Sequence, residues 1–440
     1  LVELVVDTSK PLGEIDLTRY ALGQGGLSDK PMFDSHVEQI AQLHPQTIRL
    51  FVQEYFNLYP ERGRYHWATL DKAIETILAT GAKPLLCLCF KPKALFPNID
   101  QDIVHPTDYA DWEKLISRLV KHCNRDRRFA IAYWEIANEP DIGEDGGCPY
   151  RFKPADYVIY YTHAAKAILR VDPHAKVGGP ALAGYKSAIG EALLEHCAKG
   201  EAPLHFFSWH IYSSDVGVFR RSIQDVKAKL AKHPQLTKVE TVLDEWNMSL
   251  EQPVLEPAFQ PAFVLEVTRA FHQEGLIRGA YYHIRDSFVD AQQYSPWMSK
   301  KGTSFMANWW NVMPQYDGLF DNLGQVRPAY YAFKLLSLIK GEQLALTGTT
   351  TDVNGFAVKS AGWTHVVFWN FPPTGKGETV EATVRFPATH SGRFRLVRLN
   401  PEARVNQLEL LRHGRLAELE QKPMQTTLRP HEIRWVELSR

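Results

Sequence analysis

The chain has 440 residues, too many for one compact domain, and 45% of them are apolar, which supports a large core and argues against disorder. Its 50 Lys and Arg balance 50 Asp and Glu, so a formal charge of zero gives no electrostatic basis for nucleic acid or an anionic membrane as a general partner. No apolar run reaches the roughly 18 residues of a transmembrane helix.

In chain order, Val2–Val6 reads as a strand with no helix behind it. Eight short apolar runs follow, alternating with amphipathic stretches. They are Tyr20–Gln24, Thr47–Phe51, Pro84–Phe90, Ile131–Ile136, the weaker Lys176–Gly179, Phe206–His210, Glu240–Asp244 and Gly279–Ile284. Each is bounded by turn residues and mostly uninterrupted by charge, as a parallel strand covered on both faces should be. Between them Leu70, Ile74, Ile77 and Leu78 repeat with helical spacing before Gly81; Trp112, Leu115, Leu119 and Cys123 form a second stripe, and Ile223, Val226 and Leu230 a third. Alternating strands and helices imply right-handed βα units, and eight of them imply a (β/α)8 TIM barrel. A doubly wound sheet also alternates, but GQGG at Gly23–Gly26 lacks the remaining spacing of a dinucleotide fingerprint.

The last barrel helix reads Arg327–Lys340. Beyond it the period changes to two, in Phe356–Lys359, Thr364–Trp369, Thr379–Phe386, Arg393–Leu399 and Ile433–Leu438, with turn clusters such as FPPTGKG between them. The expected division is a catalytic barrel over residues 13–340 and a β-sandwich over 1–12 plus 341–440, with Val2–Val6 joining the sandwich.

Five cysteines, an odd number, do not make a closed disulfide framework. Cys87 and Cys89 fall on one face of a strand and read as buried thiols; no CxxC or HExxH spacing supports a metal site, and none is expected. The opening LVELVVDTSK is too short and too acidic for a signal peptide, so a cytoplasmic location is expected, or a periplasmic or secreted one if a leader has been removed.

Active sites of this barrel lie at the C-terminal ends of the strands. After the fourth run comes Trp134-Glu135-Ile136-Ala137-Asn138-Glu139-Pro140, and after the seventh Asp244-Glu245-Trp246-Asn247. Glycosidic cleavage needs two carboxyls on one bond, one protonated and one ionised, and retention sets them roughly 5–5.5 Å apart. Asn138 is placed to donate to the sugar 2-hydroxyl. Asp244 and Glu240 compete with Glu245, and strand alternation is expected to turn one of Asp244 and Glu245 inward and the other outward. Lys91 and Arg285 are cations expected at the barrel mouth, there either to bind an acidic sugar or to pair with Asp286, Asp141 or Glu144.

Asn138-Glu139-Pro140 with Glu245 resembles clan A of the glycoside hydrolases and, within it, family 39, which contains β-xylosidases and α-L-iduronidases. GQGGL, IRLF with Arg49, RYHWATLDKAIETILATGAKP, FFSWHIYSS and LGQVRPAYYAFKLL carry the resemblance over nearly the whole chain. It implies the barrel-plus-sandwich architecture and a net-retaining double displacement without a cofactor, Glu139 serving as acid/base and Glu245 as nucleophile. It places Arg49 beside the nucleophile, and His210 and Tyr212 against nucleophile or sugar, a satisfied core histidine being the alternative for His210. Once Glu245 is esterified, the Glu139 pKa is expected to fall.

Two departures leave the sugar open. Tyr282, His283 and Arg285 follow the eighth run where the clan offers a Trp, and Asp141 follows Pro140 where the xylosidases carry Asn. Trp297, Trp246, Trp309 and Trp310 are candidates for stacking on the ring, with core packing the alternative for each. The expected function is an exo-acting, β-xylosidase-like glycosidase taking an oligosaccharide or glycoside. The alternatives are an arabinopyranosidase, an iduronidase-like or endo-acting enzyme of the same mechanism, and a non-catalytic carbohydrate-binding protein. Oligomeric state is not legible.

Overall fold

The computed structural model describes residues 1–25, 27–373, 376–386, 391–404 and 406–439. Gly26 of GQGG, and Thr374 and Gly375 of FPPTGKG, lie outside the described residues.

After β1 (Val2–Asp16) come β2 (Tyr20–Gln24), β3 (Thr47–Val52), β4 (Lys83–Leu88), β5 (Tyr133–Ile136), β6 (Lys176–Leu182), β7 (Phe206–Tyr212), β8 (Glu240–Asn247) and β9 (Arg278–Tyr282). These last eight form a closed parallel barrel in chain order, β9 pairing with β2. Its helices are α1 (Val37–Ala41), α2 (Ala68–Ala79), α3 (Tyr109–Lys121), α4 (Pro154–Val171), α5 (Ala188–Ala198), α6 (Val216–Ala231), α7 (Phe259–Glu274), α8 (Lys300–Ala307) and α9 (Pro328–Ser337). Asp108 caps α3 by accepting from the Ala110 amide and Asp215 caps α6 by accepting from Gly217, while Gly275 ends α7 in the left-handed region.

The barrel interior is filled in layers. At the N-terminal end Glu240 accepts from Tyr133 and pairs with Lys176, and Arg278 donates to the Tyr133 hydroxyl. Leu85, Tyr133, Phe206 and Val242 form an apolar plug above it. Polar residues lie beyond the plug, towards the strand C-termini. Glu240 is therefore on the wrong side of the plug to compete with Glu245.

The fifth barrel strand, weak in the sequence, runs to Leu182. The weakness has a steric origin: a Cβ on Gly178 would lie 2.2 Å from the Phe206 carbonyl oxygen, so β6 approaches β7 more closely than a side chain allows.

A second, nine-stranded sheet contains β10 (Lys340–Thr347), β11 (Val353–Ser360), β12 (Trp363–Asn370), β13 (Val380–Arg385), β14 (Arg393–Leu399), β15 (Leu408–Arg415), β16 (Met424–Leu428) and β17 (Ile433–Ser439), with β1 between β10 and β13. Leu4 and Val6 of β1, with Phe368, Val384, Leu396, Met424 and Val436, form its own core. The other face packs on α7: Trp369 Nε1 donates to Glu266 Oε2 at 2.9 Å, and Phe371 and His431 lie against Phe259. The strand read at Val2–Val6 extends to Asp16, which pairs with Lys340. The helix read to Lys340 stops at Ser337, and Lys340 already belongs to β10. Among the described residues no helix is long and apolar enough to cross a membrane.

Gly178→Ala is expected to lower stability by about 1–3 kcal/mol through overpacking. An earlier urea midpoint in far-ultraviolet circular dichroism would report it, and an unchanged midpoint would mean that β6 and β7 can separate.

Candidate active site

In β3 alternation sends Arg49 and Phe51 into the barrel and Ile48 and Leu50 into its outer layer. Arg49 is 2% exposed and its guanidinium organises the floor of the site. Its Nε and Nη2 donate to Glu135 Oε1 at 2.8 and 2.6 Å, Nη2 donates to Asn138 Oδ1 at 2.7 Å, and Nη1 donates to Glu245 Oε2 at 3.1 Å. Tyr212, at the end of β7, donates its hydroxyl to the other oxygen of Glu245 at 2.5 Å. Both oxygens of Glu245 thus accept hydrogen bonds, as an attacking carboxylate requires.

Alternation does not separate Asp244 from Glu245. Trp209 pairs with Leu243 but His210 pairs with Glu245, so β8 carries one extra residue between them. The bulge turns both carboxyls inward: Asp244 Oδ2 lies 3.0 Å from Arg49 Nε, and Glu245 reaches the cleft. The expected inward/outward split is corrected accordingly. Trp246 then points outward and packs on Phe219, Phe263, Phe271 and Tyr281, which removes it as a sugar platform.

Glu139 stands on a loop with φ +44°, a left-handed conformation unusual for a side-chain-bearing residue, and its amide donates to Ala181. His210 Nδ1 lies 2.9 Å from Glu139 Oε1. Burial, reinforced by the charge of Asp141 and opposed by Arg49, pushes the Glu139 carboxyl up to about 8. The lift comes from the apolar surroundings and Asp141; the charge of Glu245 is met by Arg49 and Tyr212. Burial lowers the His210 pKa, with Arg49 acting in the same direction against Glu245, so the imidazole is neutral. One oxygen of Glu139, one of Glu245 and one His210 nitrogen all lie within 4.8 Å of one another.

The cleft above this pair holds about 300 Å³. Asn138, Glu139, Tyr212 and Glu245 line its floor; Phe51, Tyr282, Trp309 and Trp310 give aromatic walls, and Asp145, Glu251 and Asp317 add three more carboxyls. No Lys or Arg lines it among the described residues. Gly146 closes over Glu139: a Cβ there would lie 2.1 Å from Glu139 Oε2. The Gly146 loop is tied to α8, because Glu144 accepts from the Ser299 amide at 2.8 Å and from its hydroxyl.

Four expected site residues lie elsewhere. Lys91 is buried and donates to the carbonyls of Asp100 and Pro149 at 2.6 and 3.3 Å, so it reaches neither the cleft nor Asp141 or Glu144. Arg285 turns to the Ser35 hydroxyl and the Asn322 carbonyl, and Arg327 takes the partner expected for it, Asp286, at 2.5 Å. His283 is fully buried behind Tyr282, its Nε2 3.0 Å from Asp286. Trp297 is a packing residue, its Nε1 held by the Gln293 carbonyl. His283, Asp286 and Asp317 also have metal-like spacing, but Asp286 is already engaged by the Arg327 guanidinium and by His283.

Glu135, Gln53 and Asp317 were not singled out by sequence as site residues, and Asp244 entered only as a rival to Glu245. Glu135 and Gln53 had a legible signal, since each sits two positions along from a residue already facing inward. The Gln53 side chain lines the cleft with its Oε1 buried and without a partner.

A family profile described as glycosyl hydrolases family 39 matches residues 51–370. A β-xylosidase of Caldicellulosiruptor saccharolyticus is 26% identical over 306 residues, covering 64% of this chain and 58% of the relative. A β-xylosidase of Geobacillus stearothermophilus is 29% identical over 209 residues, covering 44% and 36%. The chain thus spans less than two thirds of the length of the curated relatives it matches. The fold is similar to that of a monomeric β-xylosidase from Caulobacter crescentus CB15, with TM-score 0.78 and 19% identity over 100% of this chain and 99% of that one.

The raised pKa of Glu139 has a cost in stability. The folded value of about 8 lies above the ordinary 4.5, so the native state holds the proton more tightly and loses stability as pH rises from 4.5 to 8. Glu139→Gln is expected to match the parent near pH 4 and to exceed it near pH 8 by on the order of a few kcal/mol. Thermal melts across that range test this; a constant difference at all pH values would contradict it.

Proposed function

The chain belongs to family 39 of the glycosyl hydrolases, and on that premise we propose that it is a retaining, exo-acting glycosidase of β-xylosidase type, with Glu139 as acid/base and Glu245 as nucleophile. The observation that carries the mechanism is the close approach of the two carboxyls, with oxygens within 4.8 Å of each other, which suits direct attack and leaves little room for the intervening water of an inverting enzyme.

In the first step Glu245 attacks the anomeric carbon. The bond to the leaving oxygen breaks, and that oxygen takes the Glu139 proton. The new ester removes the charge of Glu245, so Arg49 is left less compensated and lowers the Glu139 pKa. Glu139 then takes a proton from water as the water attacks the anomeric carbon and releases Glu245. Arg49 holds the Asn138 amide oxygen and one N–H of the amide is donated to Cys148 Sγ, which leaves the second N–H for the sugar 2-hydroxyl.

The cleft supports a neutral glycone. Among the described residues its lining carries five carboxyls, Glu139, Asp145, Glu245, Glu251 and Asp317, and no cation to receive a uronate, which weighs against the iduronidase-like reading. Tyr282, Trp309 and Trp310 offer stacking faces, and Gln53 and Asp317 offer hydrogen-bonding groups to ring hydroxyls. The volume, about 300 Å³, is at the small end for ligand sites and favours exo over endo action. The names of the curated relatives favour xylose over other neutral pentoses and hexoses.

A nitrophenyl glycoside panel should give the β-xyloside the highest kcat/KM, and xylo-oligosaccharides should release single sugars; longer products from the start would overturn exo action. A 2-fluoro xyloside should label Glu245. On unactivated substrates Glu139→Gln should lower kcat by about 10²–10⁴-fold. The parent should lose kcat/KM as pH rises through about 8, where Glu139 gives up its proton. Full turnover in the Glu139→Gln or Glu245→Gln variant would sink the catalytic assignment.

A further inference from the structure

Asp244 is the residue that the β8 bulge adds to the barrel interior, and the double displacement does not use it. Three buried carboxyls face one guanidinium: Glu135 from β5 at 2.6 Å, Asp244 at 3.0 Å and Glu245 at 3.1 Å from Arg49 nitrogens. The other titratable groups packed against Asp244 supply no second cation. Among the described residues they are the Cys87 thiol of β4 and His210 of β7, whose Nε2 lies 3.5 Å from Asp244 Oδ1 and whose ring is neutral. One positive charge does not compensate three buried negative ones. Glu135 Oε1 and Asp244 Oδ2 moreover crowd the same guanidinium nitrogen, Arg49 Nε, at 2.8 and 3.0 Å, and two carboxyls set side by side can hydrogen-bond to each other only with a proton between them. Among the described residues no donor is aligned for a hydrogen bond to either oxygen of Asp244, or to Glu135 Oε2, to take that proton's place, since the N–H of Arg49 Nε, 3.0 Å from Asp244 Oδ2, is directed at Glu135 Oε1.

We propose that Asp244 is a protonated positioning residue, donating its proton to Glu135 and so leaving more of the Arg49 charge to hold Glu245 ionised and in place. Burial pushes the Asp244 carboxyl well up against the pull of Arg49. Burial acts the same way on Glu135, but Arg49, with hydrogen bonds from Asp244 and Ser208, outweighs it and holds that carboxyl down. The proposal rests on Glu245 being the nucleophile. Around Glu245 the charged and titratable groups are Arg49, Tyr212, His210, Tyr282, Glu139 and Asp244.

The test compares pH profiles of kcat/KM on a nitrophenyl xyloside for the parent, Asp244→Asn and Asp244→Ala. The Asn amide still donates to Glu135, so its acidic limb should stay within about 0.3 pH unit of the parent and kcat within about tenfold. The Ala variant has no donor; Glu135 then draws on Arg49, and the acidic limb should rise by roughly one pH unit with a loss of kcat of about a hundredfold. An ionised Asp244 would give the reverse: Asp244→Asn would remove a negative charge beside Glu245 and lower the acidic limb by roughly a unit or more, which overturns the proposal. So would an Ala profile identical to the parent's. Infrared spectra of protein carrying ¹³C-labelled aspartate supply a readout that needs no activity. The parent near pH 7 should show a protonated-carboxyl C=O band that moves with the label and is missing from Asp244→Asn, and its absence from the parent overturns the proposal. Labelling of a carboxylate other than Glu245 by the 2-fluoro xyloside would sink the nucleophile assignment, and the infrared band would still decide where the proton resides.

Discussion

The guanidinium of Arg49, buried among carboxyls, is the constraint on which the site depends. An isolated cation at that depth would be expensive, and so would ionised acids around it; at short range the guanidinium and its acids each offset part of the other's cost. Five donor positions in a rigid plane also fix geometry. The same group orients Glu135, Asn138 and Glu245, from the fourth and seventh barrel strands, so nucleophile and amide are registered against a common reference. Lysine, a single ammonium on a flexible stem, has no comparable fork.

Glu139 is treated differently. Among the described residues no guanidinium hydrogen-bonds to it, its neighbour is a neutral imidazole, and Gly146 covers it. One carboxyl is thus given donors and the other is given burial, and this asymmetry separates an acid from a nucleophile made of the same side chain.

The parts of this arrangement that follow local periodicity were legible in the sequence. Eight short apolar runs gave the barrel, and Asn138, Glu139 and Glu245 followed from their places just past the ends of such runs. What escaped depends on other elements. The β8 bulge is defined by pairing with β7 and β9, so nothing within Asp244-Glu245 reveals that both face inward. Lys91 and Arg285 are near strand ends in sequence, but their side chains satisfy loop carbonyls and hydroxyls, choices that a strand pattern does not encode. β15 was missed because much of it is exposed, with charged residues and a glycine diluting its alternation; β16 is short and polar; β10 follows α9 so closely that the helical pattern masked its start. Trp309 and Trp310 reach the cleft because α8 is fastened to the Gly146 loop through Glu144, a contact across more than 150 positions.

The position of β1 has a consequence for how the molecule is made. Val2 pairs with Ala382, and Asp16 with Lys340, so β1 is held by strands that are translated long after it. Until they emerge, β1 is an edge without partners, and the apolar flank of α7 around Phe259 lacks Phe371 and His431 to cover it. Loop closure over that span is slow and nonlocal. The nascent barrel therefore has an interval in which it is exposed to association with other chains, and a chain cut short after α9 would remain in that condition.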